Sequence, residues 1–308
     1  MTVSVRFSDF WNNSDSTIDK FLVPLIETVY QTEVRVVNDS RVFVDLEVFS
    51  VFPPKSSLSR RALNRISKYS RETSLLMEGR IQSNSSKRMW FSGESKRAPL
   101  ANQYDAYLGY EPEGLLPNLH YLPLWVLNFD NFGKGPAHGF TSIQTSQEQL
   151  LLPRKYRRAS KENFCCAFLG NPTSFRVGIL KKLGEIEPVG LFGSAFGHQV
   201  SDKLIVSSDY KFSFTFENNL YPGYVTEKLL EGYLSKNVPL YWGIDSSQYF
   251  NSNSFINLSQ FETLEEFITK VKALNADEDL YAQTYEQPLL NRTFEIADLV
   301  NKLRDDLL

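Results

Sequence analysis

The chain has 308 residues, a length that suits two domains of ordinary size. Hydrophobic residues make up 42% and charged residues 22%, which allows a globular core and excludes wholesale disorder. The formal net charge of -3 excludes a global positive field that would attract nucleic acid or an anionic membrane. Any anion binding must therefore come from a few cations placed locally.

The first half of the sequence predicts an irregular alternation of strands and helices. Runs of β-branched and aromatic residues predict strands at residues 3–7, 34–37, 42–52, 89–92, 104–108 and 121–124. Helical spacing of apolar residues predicts helices at residues 17–30 and 58–69, the second with a basic face. That face could touch a membrane surface or an acidic glycan, although a solvated helix face explains it more simply.

Residues 130–163 differ in composition from the segments on either side. They contain glycines and small polar residues, followed by a basic cluster that includes Arg154 and Arg158. This composition is typical of a segment between domains. We therefore predict one domain at residues 1–150 and another at residues 151–308, with a last helix that can cross back to the first domain.

The second half predicts a regular α/β domain. Strands are expected at residues 164–169, 189–192, 210–216 and 238–242, and helices at residues 174–183 and 226–234. The order strand, helix, strand implies a parallel sheet with crossover helices. From Phe261 onward the sequence is mostly helical.

The two cysteines of the chain, Cys165 and Cys166, are adjacent. Neighbouring side chains on a strand point to opposite faces, so a disulfide between them would be strained and free thiols are expected, as in a reducing compartment. The sequence shows neither a secretion signal nor a run of about 20 apolar residues. We therefore expect a cytoplasmic protein, at most peripherally associated with the inner face of a membrane.

Two cations stand where a helix normally disfavours them. Arg176 and Lys228 each fall in the first turn of a helix that follows a predicted strand, where the positive end of the helix dipole costs a few tenths of a kcal/mol. Either cation alone is compatible with a solvated side chain. Together they indicate an anion at the carboxyl edge of the sheet, where helix N-termini also donate, and a diphosphate fits best.

Polar side chains follow the strand at residues 210–216. The carboxylate of Glu217, next to Asn218, could accept two hydroxyls of a ribose; alternatively, it caps a helix or pairs with Lys228. Tyr224 could lie flat against a sugar or base ring, or it could simply pack in its loop. The sequence leaves these alternatives open.

Glu94 is the notable acid of the first half, because it follows a predicted strand and Gly93. An inverting sugar transfer needs one base for the acceptor hydroxyl, and a single carboxylate suffices. Lys96 and Arg97 would keep this carboxylate ionised. An acid after a glycine is also common in ordinary surface loops.

No metal site is predicted. His120, His138 and His198 are scattered, and neither they nor the cysteines show the spacing of metal ligands. The string Asp277-Glu278-Asp279 matches a metal-binding DxD pattern, but it lies in an acidic helical stretch with no strand before it. We interpret it as a solvated helix face.

Three segments carry a resemblance to a known family. Residues 216–243, FENNLYPGYVTEKLLEGYLSKNVPLYWG, closely resemble the signature of the family 10 fucosyltransferases. Residues 90–99, WFSGESKRAP, are similar to the acceptor-side segment of that family, and residues 168–176, FLGNPTSFR, to the segment that ends in a donor-binding arginine. The order and spacing of the three segments also fit, so the resemblance covers residues 85–290.

The resemblance implies a GT-B fold, in which two Rossmann-like α/β domains face a cleft. Residues 1–150 would bind the acceptor and residues 151–308 the donor, GDP-fucose. Glu94 would be the general base, and Arg176 and Lys228 would hold the diphosphate and stabilise the leaving GDP. The donor-binding residues would be Asn171, Arg176, Glu217, Asn218, Tyr224, Val225, Thr226, Glu227 and Lys228.

The implied activity is the transfer of L-fucose from GDP-fucose to a glycan hydroxyl with inversion, in α1,3 linkage to N-acetylglucosamine or a related sugar. Fucosylation of a bacterial surface glycan such as lipopolysaccharide would suit it. No cofactor is expected, and a divalent cation would at most stimulate the reaction. Ser95 replaces the usual Asn and Pro99 is displaced by one position, and because both lie in the acceptor-side segment the acceptor stays open. Gly223 stands where Asp is frequent, a separate change within a loop. There are two alternative hypotheses. The same fold could use another GDP-sugar as donor, or the protein could bind a nucleotide or a glycan without catalysis.

Overall fold

The computed structural model describes residues 2–10, 16–51, 83–93, 98, 103–111, 114–140, 143–157, 161–245 and 248–308. The chain forms two compact units. The first unit comprises Met1–Pro123, Asp130–His138 and Glu295–Leu308, and the second comprises Leu124–Phe129 and Gly139–Phe294. The helix predicted at residues 58–69 lies outside the described residues, as do Glu94, Ser95, Lys96, Arg97, Pro99 and Arg158.

The first unit is built on a parallel sheet. Its described strands are β1 (Thr2–Ser8), β2 (Glu33–Val36), β3 (Val44–Phe49), β4 (Ser85–Phe91), β5 (Ala106–Gly109) and β6 (Leu119–Tyr121). They pair in the order β2-β1-β3-β4-β5-β6, and every pairing is parallel. The strand predicted at residues 121–124 in fact ends at Tyr121, because a 3-10 helix begins at Leu124.

The helix predicted at residues 17–30 has two parts. A π-helical turn at Ile18–Leu22 leads into α1 (Val23–Tyr30). Pro24 stands at the start of α1, where its missing N–H removes a donor from the regular helical ladder. Leu25, Ile26 and Val29 are buried, so this helix covers the sheet of the first unit with an apolar face.

The second unit has a parallel sheet in the order β11-β10-β9-β7-β8. Its strands are β7 (Asn163–Phe168), β8 (Val189–Phe192), β9 (Tyr210–Phe216), β10 (Val238–Trp242) and β11 (Ile256–Asn257). Its helices are α2 (Gln147–Leu150), α3 (Ser174–Gly184), α4 (Lys203–Ser207), α5 (Glu227–Leu234), α6 (Leu264–Ala276) and α7 (Glu278–Tyr285). The predicted α/β alternation is confirmed, whereas α2, α4 and β11 were not predicted.

The core of the second unit joins the sheet to the helices packed on it. Phe212, Phe214 and Phe216 of β9 pack with Phe267 of α6 and Leu183 of α3. Cys165 and Cys166 are both fully buried in β7 as free thiols. The chain then returns to the first unit as α8 (Ile296–Leu307).

Helix α8 is held in the first unit by polar contacts. Arg304 donates to the carbonyl oxygens of Thr28 at 2.7 Å and Val29 at 3.2 Å, near the carboxyl end of α1. The Asp306 carboxylate lies 2.6 Å from Nε2 of His120 on β6. Within the described part of the chain, no helix combines the length and apolar character needed to cross a membrane.

Candidate functional site

The two predicted first-turn cations lie on neighbouring strand-to-helix connections. Strands β7 and β9 pair directly and in parallel, so their carboxyl ends meet at one edge of the sheet. Arg176 is the third residue of α3, which follows β7, and Lys228 is the second residue of α5, which follows β9. Their first-turn placement is confirmed.

Arg176 is buried against the end of β9. Its guanidinium donates to the carbonyl oxygen of Phe216 at 2.7 Å, to Oδ1 of Asn218 at 2.9 Å and to the carbonyl oxygen of Asn171 at 3.4 Å. Burial lowers the pKa of Arg176, and the nearby Glu217 carboxylate opposes this shift. Arg176, Asn171 and Asn218 of the predicted donor site are thus brought together.

Glu217 is a fully buried carboxylate with four donors around it. Oε1 accepts from the backbone N–H of Thr226 at 2.8 Å and from the Tyr241 hydroxyl at 3.3 Å. Oε2 accepts from the Thr226 hydroxyl at 2.8 Å and from Nζ of Lys228 at 3.3 Å. Of the two hypotheses for Glu217, this arrangement matches the one in which its carboxylate bonds to the start of a helix and pairs with Lys228.

Lys228 lies between two carboxylates. Besides Glu217, its ammonium donates to the Thr226 hydroxyl at 3.0 Å and to Oε1 of Glu227 at 3.4 Å. Burial would lower the pKa of Lys228, but Glu217 and Glu227 outweigh burial and raise it, so the ammonium stays charged. Burial likewise raises the pKa of Glu217, and Lys228 opposes that shift.

Helix α5 begins without the usual side-chain cap. Thr226 is its N-cap residue, but the hydroxyl of Thr226 turns to Glu217 and makes no capping bond to the first turn. In α3, by contrast, the Thr173 side chain accepts from the backbone N–H of Arg176 in the ordinary way. The start of α5 therefore lacks the N-cap oxygen that normally accepts from first-turn N–H groups, and the Glu227 carboxylate accepts from its own backbone N–H.

Tyr224 and Val225 precede this helix and are buried. The phenol of Tyr224 is close enough to interact electrostatically with both Arg176 and Lys228. The backbone of Val225 is hydrogen-bonded within the second unit, since its N–H donates to the carbonyl of Gly223 and its carbonyl accepts from the N–H of Trp125 at 3.1 Å. These bonds hold the segment before α5 in place.

Tyr241 and Gly243 were not singled out from the sequence. A Cβ atom on Gly243 would lie 2.2 Å from the Tyr241 hydroxyl oxygen, so only glycine leaves room for the phenol. Tyr241 in turn reaches Glu217 across the paired strands β9 and β10. The signal in the sequence is the tripeptide Tyr241-Trp242-Gly243, in which glycine follows the strand directly.

The corresponding edge of the first unit is described only in part, since Glu94 lies outside the described residues. The N–H of Ser92 after β4 donates to the carbonyl of Leu108 at 2.9 Å. Glu111, which follows β5, is buried and accepts from the N–H of Ala98 at 2.6 Å. Glu111 is a buried carboxylate at this edge that the sequence did not single out.

The acidic string at residues 277–279 has a structural role. Oδ1 of Asp277 accepts from the N–H groups of Asp279 and Leu280, each at 3.0 Å, and so caps α7. Among the described residues, no group of three or more His, Cys, Asp or Glu side chains is placed to hold a metal ion.

Comparison with protein families identifies the region that contains these cations. Residues 159–291 match the model described as "Glycosyltransferase family 10 (fucosyltransferase) C-term". This part of the chain is thus similar to the C-terminal domain of the family 10 fucosyltransferases. The matched region includes β7 to β11 and both first-turn cations.

Curated relatives of the chain carry fucosyltransferase names. The chain is 28% identical over 227 residues to "Alpha-(1,3)-fucosyltransferase FucT" of Helicobacter pylori, covering 66% of this chain and 47% of that protein. It is 30% identical over 151 residues to "4-galactosyl-N-acetylglucosaminide 3-alpha-L-fucosyltransferase 9" of Rattus norvegicus, covering 47% of this chain and 40% of that protein. The chain thus spans less than half the length of these relatives.

Solved structures show the same fold. A crystal structure of an α1,3-fucosyltransferase with GDP-fucose matches with a TM-score of 0.68 and 20% identity, over 99% of this chain and 90% of that chain. A structure with GDP matches with the same TM-score and 21% identity. The likeness shows the predicted GT-B type of fold, with two parallel-sheet Rossmann-like domains.

Proposed function

We propose that this protein transfers L-fucose from GDP-fucose to a hydroxyl of a glycan acceptor, in α1,3 linkage to N-acetylglucosamine or a related sugar. The observation that carries the proposal is the convergence of Arg176 and Lys228 on Phe216-Glu217-Asn218, at the carboxyl edge of the second unit. The names of the curated relatives, which describe α1,3-fucosyltransferases, support the same transferred sugar and linkage.

The diphosphate of the donor would bind at the start of α5. Three of the five N–H groups of Arg176 are used in bonds to described residues, which leaves two for phosphate oxygens. Lys228 can exchange its long 3.4 Å contact with Glu227 for a phosphate oxygen. The uncapped first turn of α5 supplies backbone donors to the same anion.

Glu217 would act on the donor through Lys228. An ionised carboxylate offers about four acceptor positions, and Thr226, Tyr241 and Lys228 already fill them. A ribose or fucose hydroxyl would have to displace one of these donors. We therefore propose that Glu217 positions Lys228, and that Asn171, Asn218, Tyr224, Val225, Thr226 and Glu227 form the wall of the donor site.

The reaction would be a single displacement. Glu94, assigned on the family resemblance, would take the proton of the acceptor hydroxyl as its oxygen attacks the anomeric carbon of fucose. The bond from that carbon to the diphosphate oxygen breaks, and GDP leaves with an added negative charge. Arg176 and Lys228 would stabilise that charge, a role that fixed cations can perform without a metal ion, and the configuration would invert.

The test is GDP release from GDP-fucose with N-acetyllactosamine, lactose or N-acetylglucosamine as acceptor, with and without EDTA. Acceptor-dependent release that persists in EDTA is expected, and NMR of the product would show the anomeric configuration. Release of GDP from another GDP-sugar, but not from GDP-fucose, would show that the other GDP-sugar is the donor. Tight GDP binding without release from any GDP-sugar would contradict catalysis, and preference for UDP would contradict the proposed donor class.

A further inference from the structure

An exposed aromatic ring lies beside the cations of the second unit. Phe175, in the first turn of α3 next to Arg176, is 41% exposed, whereas the phenylalanines of β9 are buried. Its ring centroid lies 4.7 Å from that of Trp242, which ends β10 and is half-buried. Phe175 and Trp242, here named the aromatic platform, therefore form an apolar surface open to solvent.

The platform is continuous with the network that holds Arg176 and Lys228. Phe216 packs against both platform rings, with centroids 6.3 Å from Phe175 and 6.2 Å from Trp242. The carbonyl of Phe216 accepts from Arg176 at 2.7 Å, and the carbonyl of Trp242 accepts from the N–H of Glu217 at 3.0 Å. The open rings thus border the proposed diphosphate site.

Exposure of a phenylalanine ring to water is unfavourable, and covering the ring with a flat apolar surface lowers the free energy. The neighbouring cations select an occupant that is anionic at one end, and the platform selects one that is planar at the other. A nucleoside diphosphate has both features. We propose, on the basis of the proposed function, that Phe175 and Trp242 form the base subsite, on which the guanine of GDP-fucose stacks.

The proposal separates the base from the phosphates, so the two can be tested apart. Calorimetry would measure GDP binding, and competition with GDP would measure binding of inorganic diphosphate, for the wild type and Phe175→Ala. Stacking of a base on an aromatic ring amounts to about a tenfold change in affinity. Phe175→Ala is therefore expected to weaken GDP binding about tenfold and to leave the affinity for inorganic diphosphate unchanged.

Two further variants complete the experiment. Phe175→Tyr keeps a stacking ring and is expected to bind GDP as the wild type does. Ile205→Ala removes a 62% exposed side chain from α4 of the same unit and controls for loss of any surface apolar group. Unchanged GDP affinity in Phe175→Ala, or an equal loss for both ligands, would overturn the subsite. Absence of GDP binding in the wild type would instead overturn the proposed function.

Discussion

The carboxylate of Glu217 receives both polar groups of Thr226, the backbone N–H on Oε1 and the hydroxyl on Oε2, each at 2.8 Å. This bidentate contact joins the end of β9 to the start of α5 within a fully buried site. Because the hydroxyl is turned to Glu217, it does not cap the helix. The same contact therefore fixes Lys228 and leaves the first turn of α5 without a capping bond from its N-cap side chain.

Replacement of Glu217 by glutamine is expected to destabilise the protein. An amide can accept at only one of its two terminal atoms, so the other would face the donors of Thr226 or Lys228 with an N–H group. The expected loss in free energy of unfolding is about 2–4 kcal/mol. Urea denaturation of Glu217→Gln and the wild type measures it.

Tyr241→Phe is the matched variant for that experiment. It removes only the 3.3 Å hydrogen bond to Glu217 and is expected to cost about 1 kcal/mol or less. Wild-type stability in Glu217→Gln, or a larger loss in Tyr241→Phe than in Glu217→Gln, would show that the carboxylate is not the centre of the network.

Arg154→Lys is expected to destabilise the second unit by about 2–3 kcal/mol. The guanidinium of Arg154 donates to the carbonyl oxygens of Tyr233, Asn237 and Tyr285 at 2.6, 3.0 and 3.0 Å. It also lies over the Tyr233 ring at 3.6 Å and the Tyr285 ring at 3.9 Å. A lysine ammonium cannot reproduce this planar set of contacts.

Arg157→Lys provides the control for Arg154→Lys, because Arg157 is an exposed residue of the same segment. Its expected effect on the unfolding free energy is within about 0.5 kcal/mol. Equal thermal midpoints for Arg154→Lys and Arg157→Lys would refute the assignment of Arg154 as the residue that binds these three carbonyls.

Lys161 predicts a pH dependence of stability. Burial, with Arg154 nearby, lowers the pKa of Lys161 from 10.5 to about 7 in the folded protein. Between these values the unfolded chain binds a proton that the folded chain does not, so stability rises with pH in that window. Urea denaturation at pH 7, 8 and 9 should therefore show the wild type gaining stability relative to Lys161→Met as the pH rises. A constant difference between the two proteins would contradict the lowered pKa.

Gly232→Ala is expected to destabilise the protein by about 1–3 kcal/mol. A Cβ atom at Gly232 in α5 would lie 2.5 Å from Oγ of Ser213 and 2.8 Å from Cγ2 of Thr215, both on β9. Gly178 in α3 has no atom within 4 Å of that position, so Gly178→Ala should stabilise by about 0.5–1 kcal/mol through helix propensity. Melting temperatures that move in the same direction for both variants would contradict the close packing of α5.

The parts of the fold that the sequence predicted depend on local pattern. Strands β8, β9 and β10 have the predicted bounds, because each is a short apolar run that ends at a turn. The first-turn positions of Arg176 and Lys228 followed from the same strand-to-helix signals. Helices α2 and α4 were missed because four and five residues are too few to show a helical period.

The parts that could not be predicted depend on contacts between distant residues. Tyr241 reaches Glu217, 24 residues away in sequence, only because β9 and β10 pair in the register that aligns Phe216 with Trp242. The sequence alone left open whether Glu217 would pair with Lys228 or bind a hydroxyl. The number of donors around a carboxylate depends on the folded site, so it cannot be predicted from the local sequence pattern.

Calorimetric titration of GDP into the wild type and Lys228→Ala tests most directly the claim that first-turn cations hold the donor diphosphate. Lys203→Ala is the control, because the exposed Lys203 pairs with the half-buried Glu231 at 3.5 Å in the same unit. Circular dichroism would verify folding, and Glu217→Gln combined with Lys228→Ala would remove the buried charge together with its partner. The account predicts a 10- to 100-fold loss of GDP affinity, of the order expected for one charge-assisted hydrogen bond, in Lys228→Ala alone and in the double variant, and none in Lys203→Ala. Wild-type GDP affinity in a folded Lys228→Ala protein would contradict it.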